Sequence, residues 1–411
     1  MKIPPTFRAF RNRNFSLFWW GQVVSLMGTW MQRVGQAWLV LEITGSPLAL
    51  GTVAAAQFLP ISVLTLFAGV WVDRLPKRRI LLATQMAALV LALVLAVLVH
   101  LDSVRLWHVY VLAIMLGLIN AIDNPARKSF LMEIVGRGDL VNAVALNSTL
   151  FNAARIVGPA VGGFLISTIG LAPCFYLNAA SFVAVLIGLH LMDERLLNPS
   201  PRVSRGPVLA QLREGLAYVL RTPSMLTIVI LMFTLGTFAY NFNTTLPLVA
   251  RDVLGKGAGG FGALLSAQGL GSLALALVVA SRQRVSEWGL FVGASGVTLL
   301  LAALAVSNLY PLSLGIMVAL GGFSIVFSTA ANSLMQLNSP EEMRGRVMSL
   351  HTLFFLGTTP VGGLVAGALA EQWGIQKTLG IQAGFCLIGL TVALAYRQKM
   401  KVPPRGVEPG K

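Results

Sequence analysis

Long apolar runs recur along this chain, each close to the length needed to cross a bilayer and nearly free of charge. Twelve can be read, over about 15–41, 48–72, 80–101, 107–126, 142–168, 171–192, 224–249, 259–281, 288–306, 310–334, 347–370 and 378–396. A soluble fold of 411 residues would need ions to cover its surface, yet only 11% of the residues are charged and 56% are hydrophobic. The mean hydropathy is +0.76. Disorder is excluded by the same numbers, since disordered chains are poor in apolar residues. The pattern predicts an all-α integral membrane protein with twelve transmembrane helices. Nothing before residue 15 resembles a cleavable leader, so the first run is expected to remain as a helix.

The net charge of +16 would suggest a nucleic-acid partner until the cations are placed. Of the 31 Lys and Arg, 25 fall in connections on one side of the predicted membrane, and 4 fall on the other. Arg33 and Arg155 lie inside spans. The positive-inside rule makes the basic side cytoplasmic, so both termini are expected inside a plasma (inner) membrane. The charge is thus a topology signal, and no nucleic-acid partner is expected. Cys174 and Cys386 sit in apolar runs far apart, which reads as buried thiols rather than a disulfide.

The one long connection, 193–223, divides the chain into an N-terminal six-helix half (1–192) and a C-terminal six-helix half (224–411). Its first part is rich in Pro, Ser and Arg, which suits an extended connector. Its second part spaces Val208, Leu212, Leu216, Val219 and Leu220 as on a helix, predicting a short interfacial helix. The halves repeat each other. A shift of 204 places Gly117 on Gly321, Gly158 on Gly362 and Gly163 on Gly367, and a slightly longer one places Gly51 on Gly262 and Gln57 on Gln268. Two repeats of the same orientation put a pathway at their interface, with access alternating as one half rocks on the other.

The loop after the second run reads Gly69-Val-Trp-Val-Asp73-Arg74-Leu-Pro76-Lys77-Arg78-Arg79. It resembles the loop signature of the major facilitator superfamily, with Pro76 in place of a glycine and Lys77 in place of an arginine. The resemblance implies a conformational latch of Gly69, Asp73, Arg74, Lys77, Arg78 and Asp123. Asp73 would sit against the N-terminus of a neighbouring helix, expected to be the eleventh span. Lys77 and Arg78 would reach a carboxylate at the inner end of the fourth span, where Asp123 stands. Lys cannot form the bidentate pair that Arg can, so this latch is expected to be weaker than the family's.

The fifth span carries Asn152-Ala-Ala-Arg155-Ile-Val-Gly158-Pro159-Ala-Val-Gly162-Gly163. This is similar to the superfamily's glycine–proline motif, found in exporters of the antiporter type. Gly158 and Gly162 make a small-residue face for a close helix crossing, and Pro159 loosens the helix. The motif reads equally as a packing interface. Together with the stretch from Gly28 to Gly51, it resembles the bacterial branch that includes the enterobactin (siderophore) exporters.

Arg155 falls about 11 residues into its span, roughly 16 Å deep at 1.5 Å per residue. An unpaired cation there is costly, so Arg33 and Arg155 should face a wet cavity or a partner. The first reading has them lining the pathway with Gln36, Gln57, Asn152, Asn241 and Gln268, favouring anionic or strongly hydrogen-bonding substrates. The competing readings are snorkelling of Arg33 to the outer interface, and a structural partner for Arg155. No carboxylate lies at mid-membrane. Asp123 is the first candidate for proton coupling, Glu42 the second and His351 a distant third.

The expected protein is therefore a secondary active transporter, a proton-coupled exporter of small amphipathic compounds, siderophore-like or drug-like. The alternatives are a multidrug pump for lipophilic cations, or an integral-membrane enzyme or sensor. His100, His108, His190 and His351 are scattered, and there is no His-Glu-x-x-His motif or P-loop, which argues against an enzyme and against ATP-driven pumping. No cofactor or metal is expected. The partners are the lipid bilayer, a small-molecule substrate and protons, and the protein is expected to be a monomer.

Overall fold

The computed structural model describes residues 4–198, 208–281 and 286–401. Helix starts and stops follow local chemistry. Asn12 caps α1 (Arg13–Thr44) by accepting the Phe15 amide, and Gly45 ends it in the left-handed conformation (φ 63°). Ser46 caps α2 (Pro47–Arg74), which Pro47 opens and which ends just before Pro76. Then come α3 (Lys77–His100), α4 (Leu106–Ile169) and α5 (Leu171–His190). The 64-residue α4 is two antiparallel arms that meet at Gly136, where φ is 67°. The sequence reading expected a loop over 127–141. The helices instead continue past the membrane, because Phe130, Leu131 and Ile134 are buried along one face and Arg127 and Glu133 find ion-pair partners in Asp123 and Lys77.

The second half follows through the linker helix α6 (Val208–Arg221). Residues 199–207, which hold the expected extended connector, lie outside the described residues. The helix seats against the C-terminal half: Tyr218 donates to the Asn338 carbonyl at 3.1 Å, and Glu214 pairs with Arg346 at 2.5 Å. Val219 is fully buried there, whereas Leu216 and Leu220 are exposed.

The seventh span, expected as one helix, is broken into α7 (Pro223–Phe238), α8 (Phe242–Leu248) and a π-turn over Val249–Val253. Pro247 lacks the amide that would continue a regular ladder, and the Asn241 side chain takes the Thr237 carbonyl at the first break (2.6 Å). α9 (Ala258–Ser281), α10 (Glu287–Val306) and α11 (Tyr310–Leu337) are continuous. The eleventh span is divided at Thr358 into α12 (Glu341–Gly357) and α13 (Thr359–Trp373), with Pro360 opening the second piece. α14 (Ile375–Lys401) ends the described chain.

Among the described residues, ten helical stretches are long and apolar enough to cross a membrane, and Leu106–Ile169 holds two crossings. With α1, whose 32 residues carry Gln22, Gln32, Arg33 and Gln36, there are twelve crossings, six in each half. Exposed tryptophans mark two belts. Trp20, Trp71 and Trp288 lie toward the end of the bundle that carries the termini, and Trp107 and Trp373 lie toward the other.

The repeat read from the sequence reappears as packing. A Cβ on Gly117 would overlap the Gln57 carbonyl oxygen, and one on Gly321 would overlap that of Gln268. The halves meet along two seams, again related by the repeat. Gly51 of α2 lies on the Gly363 oxygen of α13, and Gly262 of α9 lies on the Pro159 oxygen of α4. Gly367 and Gly163 close the same seams, each with its would-be Cβ 2.7 Å from a carbonyl at the start of the facing helix, Pro47 and Ala258 respectively. The glycine–proline motif thus divides between two neighbours: Gly158 and Gly162 press on Trp30 and Met31 of α1, whereas Pro159 and Gly163 press on α9.

Both seams occupy the end of the bundle away from the termini. Toward the termini, Val141 and Val144 of α4 and Leu277 of α9 are exposed, so the seam between α4 and α9 does not continue to that end. No ion pair among the described residues joins the halves at that end. Gly321→Val should therefore wedge α9 from α11, costing about 1–3 kcal/mol as overpacking does, and lower the melting temperature in detergent. Gly315→Ala, whose Cβ would meet nothing within 4 Å, should leave it unchanged.

Candidate functional site

The wall of the cleft between the halves is built mainly by α1 and α2. Arg33, Gln36 and Ala37 come from α1, while Leu50, Val53, Ala54, Gln57 and Phe58 come from α2. Asn243 of α8 completes it from the other half. Together they line a partly open cavity of about 40 Å³. The spacing of Arg33 and Gln36, and of Leu50, Val53, Ala54, Gln57 and Phe58, is that of one helix face, so the cavity takes its lining from two amphipathic stripes.

The Arg33 guanidinium stands 4.3 Å from the centre of the Trp30 ring, which meets Phe151 edge-on at 5.7 Å. Arg155 is close enough to Arg33 for their like charges to interact, and Tyr240 lies within the same electrostatic reach of Arg155. Neither arginine is ion-paired among the described residues. A cation–π contact offsets part of the cost of one desolvated cation but adds no counter-charge. Two like charges in a low-dielectric cleft, with amide groups beside them, leave an excess of positive charge that an anionic group would offset.

The other expected pathway residues disperse. Asn152 turns back to the Ser148 carbonyl (2.8 Å). Asn241 lies buried against Gly362, and Gln268 is buried in the contact of α9 with α11. The structure thus brings Arg33, Gln36 and Gln57 into one cavity with Arg155 nearby, buries Asn241 and Gln268 within the helix bundle, and bonds Asn152 to its own helix.

The latch residues also find partners that spacing did not name. Lys77 is buried, with its Nζ 3.4 Å from Glu133. Arg78 donates to the Leu189 and His190 carbonyls at the C-terminus of α5, at 2.7 and 3.0 Å, and pairs with Glu194. Arginine there suits the negative end of the α5 dipole. Asp123 meets neither Lys77 nor Arg78. Its Oδ1 accepts from Thr84 (2.7 Å) and Gln85 (2.9 Å), and its Oδ2 accepts from Arg127 at 3.0 and 2.6 Å. Arg127 is four residues on from Asp123, the helical spacing that could have revealed the pair. Arg74 is exposed, and the surroundings of Gly69 and the Asp73 side chain lie outside what the structure describes. Glu42 is exposed at the far rim, accepting the Trp38 indole N–H at 2.8 Å.

Twelve crossings in two repeated halves, closed at one end around a polar central cleft, define a transporter of the major facilitator superfamily. The chain belongs to the family described as transmembrane secretion effector, which matches residues 5–406. It is 30% identical to the multidrug efflux pump Tap of Mycolicibacterium fortuitum, over 88% of this chain and 90% of that protein. It is 24% identical to the staphyloferrin A transporter of Staphylococcus aureus, over 92% and 94%. The fold matches a bacterial homologue of the human lysosomal transporter Spinster with a TM-score of 0.76 at 12% identity, covering 98% of this chain and 100% of that one.

The Asp123 cluster predicts its own response to mutation. Asp123→Asn should destabilise the protein by about 3 kcal/mol, because it strands a half-buried Arg127. Adding Arg127→Gln should recover much of the loss, as a double-mutant cycle of melting temperatures would show.

Proposed function

We propose that the protein is a proton-coupled exporter that moves small amphipathic, anionic or strongly hydrogen-bonding compounds by alternating access between its two six-helix halves. The observation that carries this reading is the pair of unpaired arginines at a central cleft whose described lining holds no carboxylate. An anionic group docked between Arg33 and Arg155 supplies the missing counter-charge, with Gln36, Gln57 and Asn243 as hydrogen-bonding partners and Phe58 as an apolar wall. The distribution of Lys and Arg supports a cytoplasmic end at the termini. With that orientation the cleft of this state opens inward, where an exporter loads.

A second reading, a pump for lipophilic cations, is favoured by the likeness to the multidrug efflux pump Tap. The cleft's charge speaks against it: a lipophilic cation entering there meets two positive charges and no described carboxylate.

Proton coupling belongs to the proposal. Of its three candidates, Asp123 is held by Thr84, Gln85 and Arg127, and Glu42 by Trp38. His351 stacks on Phe355 and has a buried Nε2 with no hydrogen-bond partner among the described residues, so of the three it is the one not held by a neighbouring polar group.

Uptake of anionic and cationic fluorescent compounds into everted vesicles tests the reading. Arg155→Ala and Arg33→Ala, at wild-type expression, should each lower anion transport by about tenfold or more, as removing one partner of a desolvated charge contact does. Unchanged anion transport in both variants, or transport of cations alone, would refute the substrate class. Transport indifferent to a collapsed proton gradient would refute the coupling.

A further inference from the structure

The seam between α2 and α13 carries a device that its sister seam lacks. At the closed end, Glu371 of α13 reaches across to the first turn of α2. Its Oε2 accepts from the Ser46 hydroxyl at 2.8 Å and from the Leu48 amide at 3.1 Å. Ser46 meanwhile accepts the Ala49 amide, so two of the free donors at the start of α2 are satisfied, one locally and one by the opposite half. A carboxylate is the right sign for the positive end of a helix dipole. Next to it, Arg251 of the same half donates to the Gly45 carbonyl, the negative end of α1, at 3.3 Å, while pairing with Asp252. The turn joining α1 to α2 is therefore gripped by one charge of each sign, both from the C-terminal half.

Packing does not require this. The repeat puts Ser167 where Glu371 stands, at the seam between α4 and α9. Ser167 bonds back to the Phe164 carbonyl of its own helix, and that seam is crossed by the neutral Ser266 hydroxyl, which donates to the Ile156 carbonyl at 2.6 Å, with no charge placed on a helix start. Hydrogen bonds that cross the halves and exist only while this end is shut stabilise the shut state selectively.

We propose that Glu371 is the outer gating residue of the transport cycle, a carboxylate latch from α13 onto the N-terminus of α2 that holds the end away from the termini closed and must be released each time it opens. The latch mirrors the role that the loop signature implies for Asp73. In that implied role Asp73 would address the start of the eleventh span from the end of α2, as Glu371 addresses the start of α2 from the end of α13, at opposite ends of the bundle. One latch would engage as the other lets go, which keeps the two states close in free energy. This rests on the reading of the protein as an alternating-access transporter.

The test is the separation of the two halves at that end, which needs no substrate. Spin labels at Leu101→Cys and Leu309→Cys, both exposed beyond α3 and α10, report it by double electron–electron resonance on the full chain in nanodiscs. Cys174 and Cys386 are buried, and they are replaced by Ser in the background. Glu371→Gln keeps the shape but loses the charge, and Glu371→Ala removes the latch. Both should add a longer-distance population, raising the open fraction roughly three- to tenfold, in line with one charged contact to a helix end at a partly solvated site. Arg251→Met should act in the same direction, and Ser167→Ala should change nothing. A distribution unchanged in both Glu371 variants overturns the latch, whatever transport does. If the distribution shifts while the unmodified protein exports nothing, the latch stands and the exporter reading falls.

Discussion

Helices in a bilayer gain nothing by hiding apolar side chains, because lipid is as apolar as leucine. What holds such a bundle is close backbone approach, and here glycine makes it possible. Gly117 on Gln57 and Gly321 on Gln268 join helices within each half, and Gly51 on Gly363 and Gly262 on Pro159 join the halves. At each of these places a methyl group would collide with a carbonyl. The rest of the structure depends on this. The seams decide which end is shut, and the shut end decides where the cleft between Arg33 and Asn243 opens.

Charge is distributed by a different logic in the two halves of the membrane's thickness. Near the termini the ions are paired and structural. Lys77, Arg78, Asp123, Arg127, Glu133 and Glu194 bind α3, α4, α5 and the turn beyond it into one unit. Toward the cleft the two remaining cations of the spans stand without counter-ions among the described residues. A protein keeps such groups desolvated only at a cost, and a charged or strongly polar ligand is the natural compensation. At the closed end a third pattern appears, single charges placed on helix termini, where the backbone itself is the partner.

Much of this was legible in the sequence. Run lengths predicted the crossings, because spanning a bilayer fixes helix length. The skew of Lys and Arg marked one face, and the glycine register exposed the repeat. Arg33 and Arg155 stood out as the only cations inside spans. The partners of Lys77, Arg78 and Asp123 were not legible. They lie on neighbouring helices or at α5 carbonyls, and only Arg127, four residues from Asp123, left a local trace. The breaks at Tyr240 and Thr358 were also missed, since hydropathy averaged over a span does not register a proline's missing amide.

The sequence by itself determined the class of fold, the number of crossings and the residues that membrane physics makes expensive, because each of these follows from local hydrophobicity and charge along the chain. Only the tertiary structure decided which polar residues share a cavity. Gln36 and Gln57 face it, whereas Asn241 and Gln268 are buried in the bundle, and a residue's outlook depends on the crossing of helices far apart in sequence. It alone decided that the two halves touch at one end and part at the other. It also brought Glu371 to the start of α2, 323 positions from Leu48, through a contact that no local pattern encodes.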